Sequence, residues 1–282
     1  MSTNLTALLQ QYRATGRCLA GFNINDIYDL HAVALAANEL DLPFMAMTYP
    51  PVAELNSTYL CRKMVDGFEN IANNKIYLHL DHSTSVDLCK RAIDDGYDSV
   101  MIDGSHSDLK TNIAMTKEVV EYARSAGVTV EAEIGKIMGR GVEAKTENDF
   151  LASVADVVAL CEEANPDIVA VGIGTAHGFT PTTPKIHFDR LQEIANAVVN
   201  PLVLHGGTGI ADADIQRAIT MGIGKINIGT IVHTTYMREA HNEISKDVSS
   251  AYPPFIMKDV IPRVQEVVKN RLLAVNPHLI TR

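Results

Sequence analysis

A chain of 282 residues, 46% hydrophobic and 21% charged, has the composition of one globular domain, long enough to bury roughly three quarters of the surface it exposes when unfolded. Its formal net charge of −10 argues against a nucleic-acid surface, which needs clustered Lys and Arg to displace counterions, but not against a small phosphorylated ligand held by backbone N–H groups. No apolar run approaches the roughly 18 residues of a membrane span, and Gln10, Gln11 and Arg13 interrupt the first hydrophobic stretch, so neither membrane insertion nor a secretion signal is expected and a cytoplasmic location is.

A short leading helix is expected near Leu5–Ala14, after which brief apolar runs alternate with longer stretches of helical periodicity. The runs read as strands at Leu19–Phe22, Phe44–Met47, Ile76–Leu80, Ser99–Ile102, Thr129–Glu133, Ile168–Val171, Leu202–Leu204 and Lys225–Ile228. Helices are expected between them near Asp29–Leu40, Ser57–Ile71, Ser85–Asp95, Thr111–Ser125, Phe150–Ala164, Asp189–Val198, Ala211–Met221 and Thr230–Ser249. Asp95-Gly96, Ala126-Gly127 and Met221-Gly222 each suit a helix that stops in a left-handed residue. Pro253-Pro254 marks a turn into a last helix, about Met257–Leu273. Eight strand-and-helix units with continuously apolar strands predict a single-domain (β/α)8 TIM barrel over 1–282, with a C-terminal helical extension. An open doubly wound sheet competes, but no G-x-G-x-x-G follows the first strand and no Walker-type lysine loop is present. The four cysteines lack C-x-x-C spacing and read as reduced bystanders.

Barrel chemistry sits at the C-terminal ends of the strands. The third strand closes on His79-Leu80-Asp81-His82 and the fourth on Asp103-Gly104-Ser105-His106; the fifth ends Glu131-Ala132-Glu133, and His177 follows the sixth. The seventh closes on His205-Gly206-Gly207-Thr208 and the eighth on Asn227-Ile228-Gly229-Thr230. Three histidines from three strand ends, with carboxylates beside them, would converge on one small volume and suit a catalytic Zn²⁺ with an open position. Asp81 can be read as a cap for the helix near Ser85, yet its place beside a candidate ligand favours a chemical role. Gly206 to Gly209 and Asn227 to Thr230 each precede a helix, and paired turns after the seventh and eighth strands are the usual phosphate cradle of this architecture. The glycine-rich stretch Gly135–Glu143 reads as a flap able to deliver Glu143 as a base, or as a surface loop.

Five segments together, His79–His82, Met101–His106, Glu131–Gly135, Gly174–Gly178 and Leu204–Gly209, resemble the class II ketose-bisphosphate aldolases, the fructose- and tagatose-bisphosphate aldolase group. The resemblance runs from Phe22-Asn23-Ile24-Asn25 to Asn227. It implies zinc on His82, His177 and His205, Asp81 as the acid/base at the C4 hydroxyl, and Asp103 and Glu133 at an alternative metal position. Glu143 would match the flap glutamate that moves a proton at C3. It further implies phosphate contacts from Gly206, Gly207, Thr208, Asn227, Ile228, Gly229 and Thr230, a substrate contact from Asn23, a monovalent cation (Na⁺ or K⁺) near Gly178, and a homodimer or homotetramer. The implied reaction is reversible cleavage of fructose or tagatose 1,6-bisphosphate to dihydroxyacetone phosphate and an aldehyde.

The chain departs from that pattern at Phe179-Thr180-Pro181, at Gly229 and Ile231, at Tyr252-Pro253-Pro254 and in the loop Met47–Pro51. Recognition of both phosphates therefore does not follow, and a ketose 1-phosphate or a sugar-acid phosphate is an alternative substrate. Two further readings compete: a zinc hydrolase on the same fold, and a non-catalytic stabilising subunit of an aldolase. The intact set Asp81, His82, His177 and His205 weighs against the second.

Overall fold

The computed structural model describes residues 4–70, 74–137, 150–178 and 185–279. Eight parallel strands pair in chain order and close into a barrel, β1 (Leu19–Asn23), β2 (Phe44–Thr48), β3 (Ile76–Ser83), β4 (Ser99–Ile102), β5 (Thr129–Ile134), β6 (Ile168–Val171), β7 (Leu202–Leu204) and β8 (Ile223–Ile228). Around them pack α1 (Leu5–Thr15), α2 (Ile27–Leu40), α3 (Pro50–Asn56), α4 (Thr58–Glu69), α5 (Val86–Asp94) and α6 (Leu109–Arg124). The outer layer continues with α7 (Val154–Ala164), α8 (Phe188–Ala197), α9 (Asp212–Thr220), α10 (Thr230–Ile244) and α11 (Pro253–Val275).

Both faces of every strand are buried, which is why these strands read as unbroken apolar runs rather than alternating ones. The two faces nevertheless go to different cores. Phe22, Leu78, Leu80, Val130, Ala132, Ile226 and Ile228 join the large cluster shared with the surrounding helices. Leu19, Met45, Met47, Tyr77, Ile168, Ala170 and Val203 form a smaller cluster with Leu5, Leu9 and Tyr12 of α1. The leading helix thus closes one end of the barrel, and the inward positions above that plug are free to turn polar.

Local departures from the expected elements have local causes. The helix expected near Ser57–Ile71 is α4, and a helix that was not expected, α3, precedes it, because Pro50 and Pro51 occupy its first helical positions, where a missing N–H costs nothing. Ser57 then breaks the path at φ 63° and caps α4 by accepting a bond from the Leu60 N–H. Pro253 and Pro254 likewise start α11 rather than precede it. α7 begins at Val154 instead of Phe150 because the Ser153 hydroxyl caps it, while Leu151 pairs with Ile173. β3 runs past Leu80 to Ser83 through a bulge: Leu80 faces Val100 but Ser83 faces Ile102, so β3 carries one extra residue.

Candidate active site

Side chains alternate along a strand with period two, and inside this barrel that alternation climbs from apolar to chemically armed positions. β1 presents Leu19, Gly21, Asn23; β3 presents Tyr77, His79, Asp81; β5 presents Thr129, Glu131, Glu133; β8 presents Lys225 and Asn227. His205 follows Val203 by the same step at the end of β7. His82 has the wrong parity, since it shares the outward phase of Leu78 and Leu80. The bulge and its left-handed backbone, φ 50°, turn it inward beside Asp81, a conformation worth its strain only where the surroundings enforce it.

The three expected metal ligands do meet. One ligand atom from each of His82, His177 and His205 lies within 4.8 Å of the others, and the same holds for His82, Asp103 and Glu133, so His82 is common to both groups. Its Nε2 faces His205 Nδ1 at 2.8 Å, while its Nδ1 faces Asp103 Oδ2 at 2.9 Å. The far nitrogen of His205, Nε2, lies 2.8 Å from Glu131 Oε1. Each of these two rings therefore has one nitrogen held by a carboxylate, which fixes the ring's orientation and leaves the other nitrogen aimed at its neighbour. Ligand nitrogens around a tetrahedral Zn²⁺ stand about 3.4 Å apart, so small ring movements would fit this set to the ion. Glu133 Oε2 is buried without a hydrogen-bond partner, 3.9 Å from His82 Nδ1 and 3.8 Å from His205 Nδ1. An orphan carboxylate oxygen facing two imidazoles is what a cation position leaves when described by protein atoms alone.

The charges divide sharply. Burial opposes the charging of His82, but Asp81, Asp103 and Glu133 outweigh it and push the imidazole up to about 10. Burial and the neighbouring His82 charge hold His205 well below its ordinary value, so it stays neutral. Burial and the nearby Asp103 drive Glu133 well upward, whereas for Asp103 the opposing burial is overcome by His82 and Ser105, which depress it. Asp81 is buried too, yet the His82 charge and the Asn23 amide hold its carboxyl below the usual range. Both of its oxygens are gripped: Asn23 Nδ2 donates to Oδ2 at 2.8 Å and Asn227 Nδ2 to Oδ1 at 2.9 Å.

Beneath the histidines lies a buried charge pair. Lys225 Nζ donates to Glu131 Oε2 at 2.6 Å and lies 3.4 Å from His79 Nε2, whose Nδ1 meets Ser99 Oγ at 2.9 Å. None of Lys225, Glu131, His79 and Ser99 is solvent-exposed. Glu131 bridges Lys225 to His205, so the floor of the site orients a candidate ligand.

Above, a cavity of about 400 Å³ is lined by Asp81, His82, His177, Gly206, Thr208 and Thr230. Gly206 is left-handed at φ 73°, and a Cβ there would strike the Ala176 carbonyl. Thr208 Oγ accepts from the Ile231 N–H at 3.2 Å, which ties the glycine turn to the start of α10. Asn23, Gly178, Asn227 and Gly229 also reach the cavity. Gly207 and Ile228 stand behind its wall, the latter in the outer core. Gly229 makes room for Asn23, whose Oδ1 a Cβ at 229 would strike. Glu143, Pro181 and most of the expected flap Gly135–Glu143 lie outside the described residues.

Comparison with known proteins agrees with this geometry. The family model "Fructose-bisphosphate aldolase class-II" matches residues 3–277. This chain belongs to the class II fructose-bisphosphate aldolase family. Among curated relatives of this aldolase, a fructose-bisphosphate aldolase of Staphylococcus aureus (strain Mu50) is 33% identical over 272 residues, 95% of each chain. A 6-phospho-5-dehydro-2-deoxy-D-gluconate aldolase of Halalkalibacterium halodurans is 37% identical over 230 residues, 80% of each. Among solved structures, the YdjI aldolase of Escherichia coli K12 superposes with a TM-score of 0.82 at 26% identity, covering 96% of both chains. The chain is thus a lyase of the class II aldolase type on a closed eight-stranded barrel. No described helix is long and apolar enough to cross a membrane. In the sequence His79 and Glu131 stand among the polar strand ends without an assigned role, and Lys225 only as the start of the eighth strand.

Proposed function

We propose that this aldolase is zinc-dependent and reversibly cleaves a ketose 1,6-bisphosphate, fructose or tagatose, to dihydroxyacetone phosphate and glyceraldehyde 3-phosphate. The observation that carries the reading is Asp81, held by two amides beside a three-histidine cluster and lining the same cavity as a glycine cradle. Zinc on His82, His177 and His205 would supply Lewis acidity for the charge that develops on the substrate as the C3–C4 bond breaks. The protein's own part is positional and protonic. Asp81, ionised at neutral pH, takes the C4 hydroxyl proton as the bonding pair moves into the three-carbon fragment, leaving an enediolate and an aldehyde. Its two amide partners occupy one lone pair on each oxygen and leave another free to accept that proton. The N–H groups of the cradle and the start of α10 hold the phosphate of the three-carbon end, so that the C4 hydroxyl stays at Asp81. A monovalent cation, Na⁺ or K⁺, near Gly178 belongs to the same reading, supported by the buried Thr175 hydroxyl that lacks a hydrogen-bond partner three residues before it.

A second reading is favoured by two observations: a sugar-acid phosphate or ketose 1-phosphate bearing a single phosphate. The described residues that line the cavity include neither Lys nor Arg to meet a second phosphate, and one curated relative is named for a sugar-acid phosphate. The deciding experiment is triose phosphate release by the zinc-loaded protein from fructose 1,6-bisphosphate, tagatose 1,6-bisphosphate, ketose 1-phosphates and a six-carbon sugar-acid phosphate. It is repeated after chelation and with Asp81→Asn. Cleavage is expected to vanish with chelator and to fall at least about a hundredfold in Asp81→Asn, the usual cost of losing a positioned base, with zinc content unchanged. Asp81→Asn at wild-type rate would sink the mechanism. Preference for a monophosphate would move the substrate to the second reading.

A further inference from the structure

The cradle Gly206 to Gly209 is braced from behind by the last helix of the chain. Arg271, near the C-terminal end of α11, is 13% exposed at its side chain and reaches three acceptors around the turn. Its Nη2 donates to the Gly207 carbonyl at 3.1 Å and to the Ile210 carbonyl at 3.4 Å, and its Nη1 to Asp212 at 2.9 Å. Its Nε is buried without a hydrogen-bond partner, so the guanidinium sits there at a cost that the two carbonyls and Asp212 must offset.

In a trans peptide the C=O and the following N–H point in opposite directions. Drawing the Gly207 carbonyl back toward Arg271 therefore turns the Thr208 N–H the other way, and Thr208 is a wall of the cavity. The Thr208 hydroxyl is committed as well: its oxygen accepts from the Ile231 N–H, which leaves its hydrogen to donate. We propose that Arg271 is a positioning residue for substrate, holding the Gly207–Thr208 peptide so that its N–H and the Thr208 hydroxyl face an anionic phosphate in the cavity. This rests on the phosphate reading given above. Arg271 itself never touches the ligand. It acts through the peptide it anchors.

The test is binding of inorganic phosphate to the zinc-loaded protein by titration calorimetry, for the wild type, Arg271→Met, Arg271→Lys and Asp212→Asn. Arg271→Met is expected to weaken phosphate about tenfold, the equivalent of about 1.4 kcal/mol, and to raise KM while kcat stays within about threefold. Zinc content should not change. Arg271→Lys keeps the charge but loses the planar fork that spans two carbonyls and Asp212, so it should recover only part of the affinity. It also serves as the test if Arg271→Met fails to fold. Asp212→Asn, which alters only the exposed partner, should stay within about twofold. Unchanged phosphate affinity in Arg271→Met overturns the inference, and so does full recovery in Arg271→Lys, which would mean that long-range charge rather than peptide placement is at work. A wild type that binds phosphate but cleaves no ketose phosphate would fault the proposed function and leave this inference standing. A wild type that cleaves a ketose phosphate but binds no inorganic phosphate would overturn this inference and leave the proposed function standing.

Discussion

Lys225 shows how much the site depends on a residue that touches no substrate. Its ammonium is wholly buried against Glu131, and Glu131 in turn holds His205. Withdrawing an ion from water costs several kcal/mol, repaid only while its partner is in place. Lys225→Met should therefore strand the Glu131 carboxylate and cost about 3–5 kcal/mol, read from urea unfolding of the metal-free protein. Pairing it with Glu131→Gln should recover most of that loss, because the two sites form one network. A single variant that loses less than about 1 kcal/mol would mean that the pair contributes nothing net. The sequence carries a signal for this floor. Polar residues two apart within an apolar strand, His79 and Asp81, Glu131 and Glu133, Lys225 and Asn227, mark one barrel face. Lys225 alone gives no such signal, because lysine is ordinarily a surface residue and this one stands at the first position of its expected strand. His82 is a different matter. Its histidine was legible, but the bulge that turns it inward is a property of pairing between β3 and β4, which no local pattern records.

At the scale of elements, the loops after the strands are fixed by helix starts. Asp26 caps α2 by accepting from the Tyr28 and Asp29 N–H groups, with Asp29 completing a capping box, and it also accepts the Tyr236 hydroxyl of α10 at 2.7 Å. One carboxylate thus ties the loop that follows Asn23 to the helix whose N-terminus borders the cavity. Asp26→Ala should cost about 1–2 kcal/mol, toward the upper end of the range for a lost cap, in a denaturant melt. Tyr236→Phe should cost less, since only one hydrogen bond goes. A loss in Asp26→Ala no larger than in Tyr236→Phe would show that the cap itself is idle. The helices were legible where a periodic face and a terminal glycine coincided, as at Gly127 and Gly222. They were misjudged where proline intervened: Pro50-Pro51 and Pro253-Pro254 punctuate the sequence like turns, yet both pairs begin helices. Because α11 starts at Pro253, that pair stands 18 residues from Arg271, roughly 27 Å along the axis at 1.5 Å per residue. The departure noted there is therefore remote from this chain's own cradle.

The whole molecule is polarised along the barrel axis, and that polarity separates stability from chemistry. At one end α1 buries Leu5, Leu9 and Tyr12 against the inward apolar residues of β1, β2, β3, β6 and β7. At the other end the inward positions are Asn23, Asp81, Glu133, His205 and Asn227, with the Lys225 and Glu131 pair between the two zones. The eightfold alternation of apolar strand and periodic helix makes this architecture readable from the sequence, helped by the glycines at 96, 127 and 222. The use of α1 as a plug was not readable, because an amphipathic leading helix can pack against either end or against the outer wall. Leu9→Ala tests the separation. Leu9 is fully buried in the small cluster, so its truncation should cost about 2–5 kcal/mol through lost transfer energy and an imperfectly filled cavity. If the polar middle layer insulates the site as its hydrogen bonds suggest, kcat/KM at 25 °C should stay within about twofold and zinc stoichiometry should not change. A matching loss of activity and metal in a variant that is still folded at that temperature would mean that the two ends of the barrel move as one body. The plug would then be part of the catalytic apparatus.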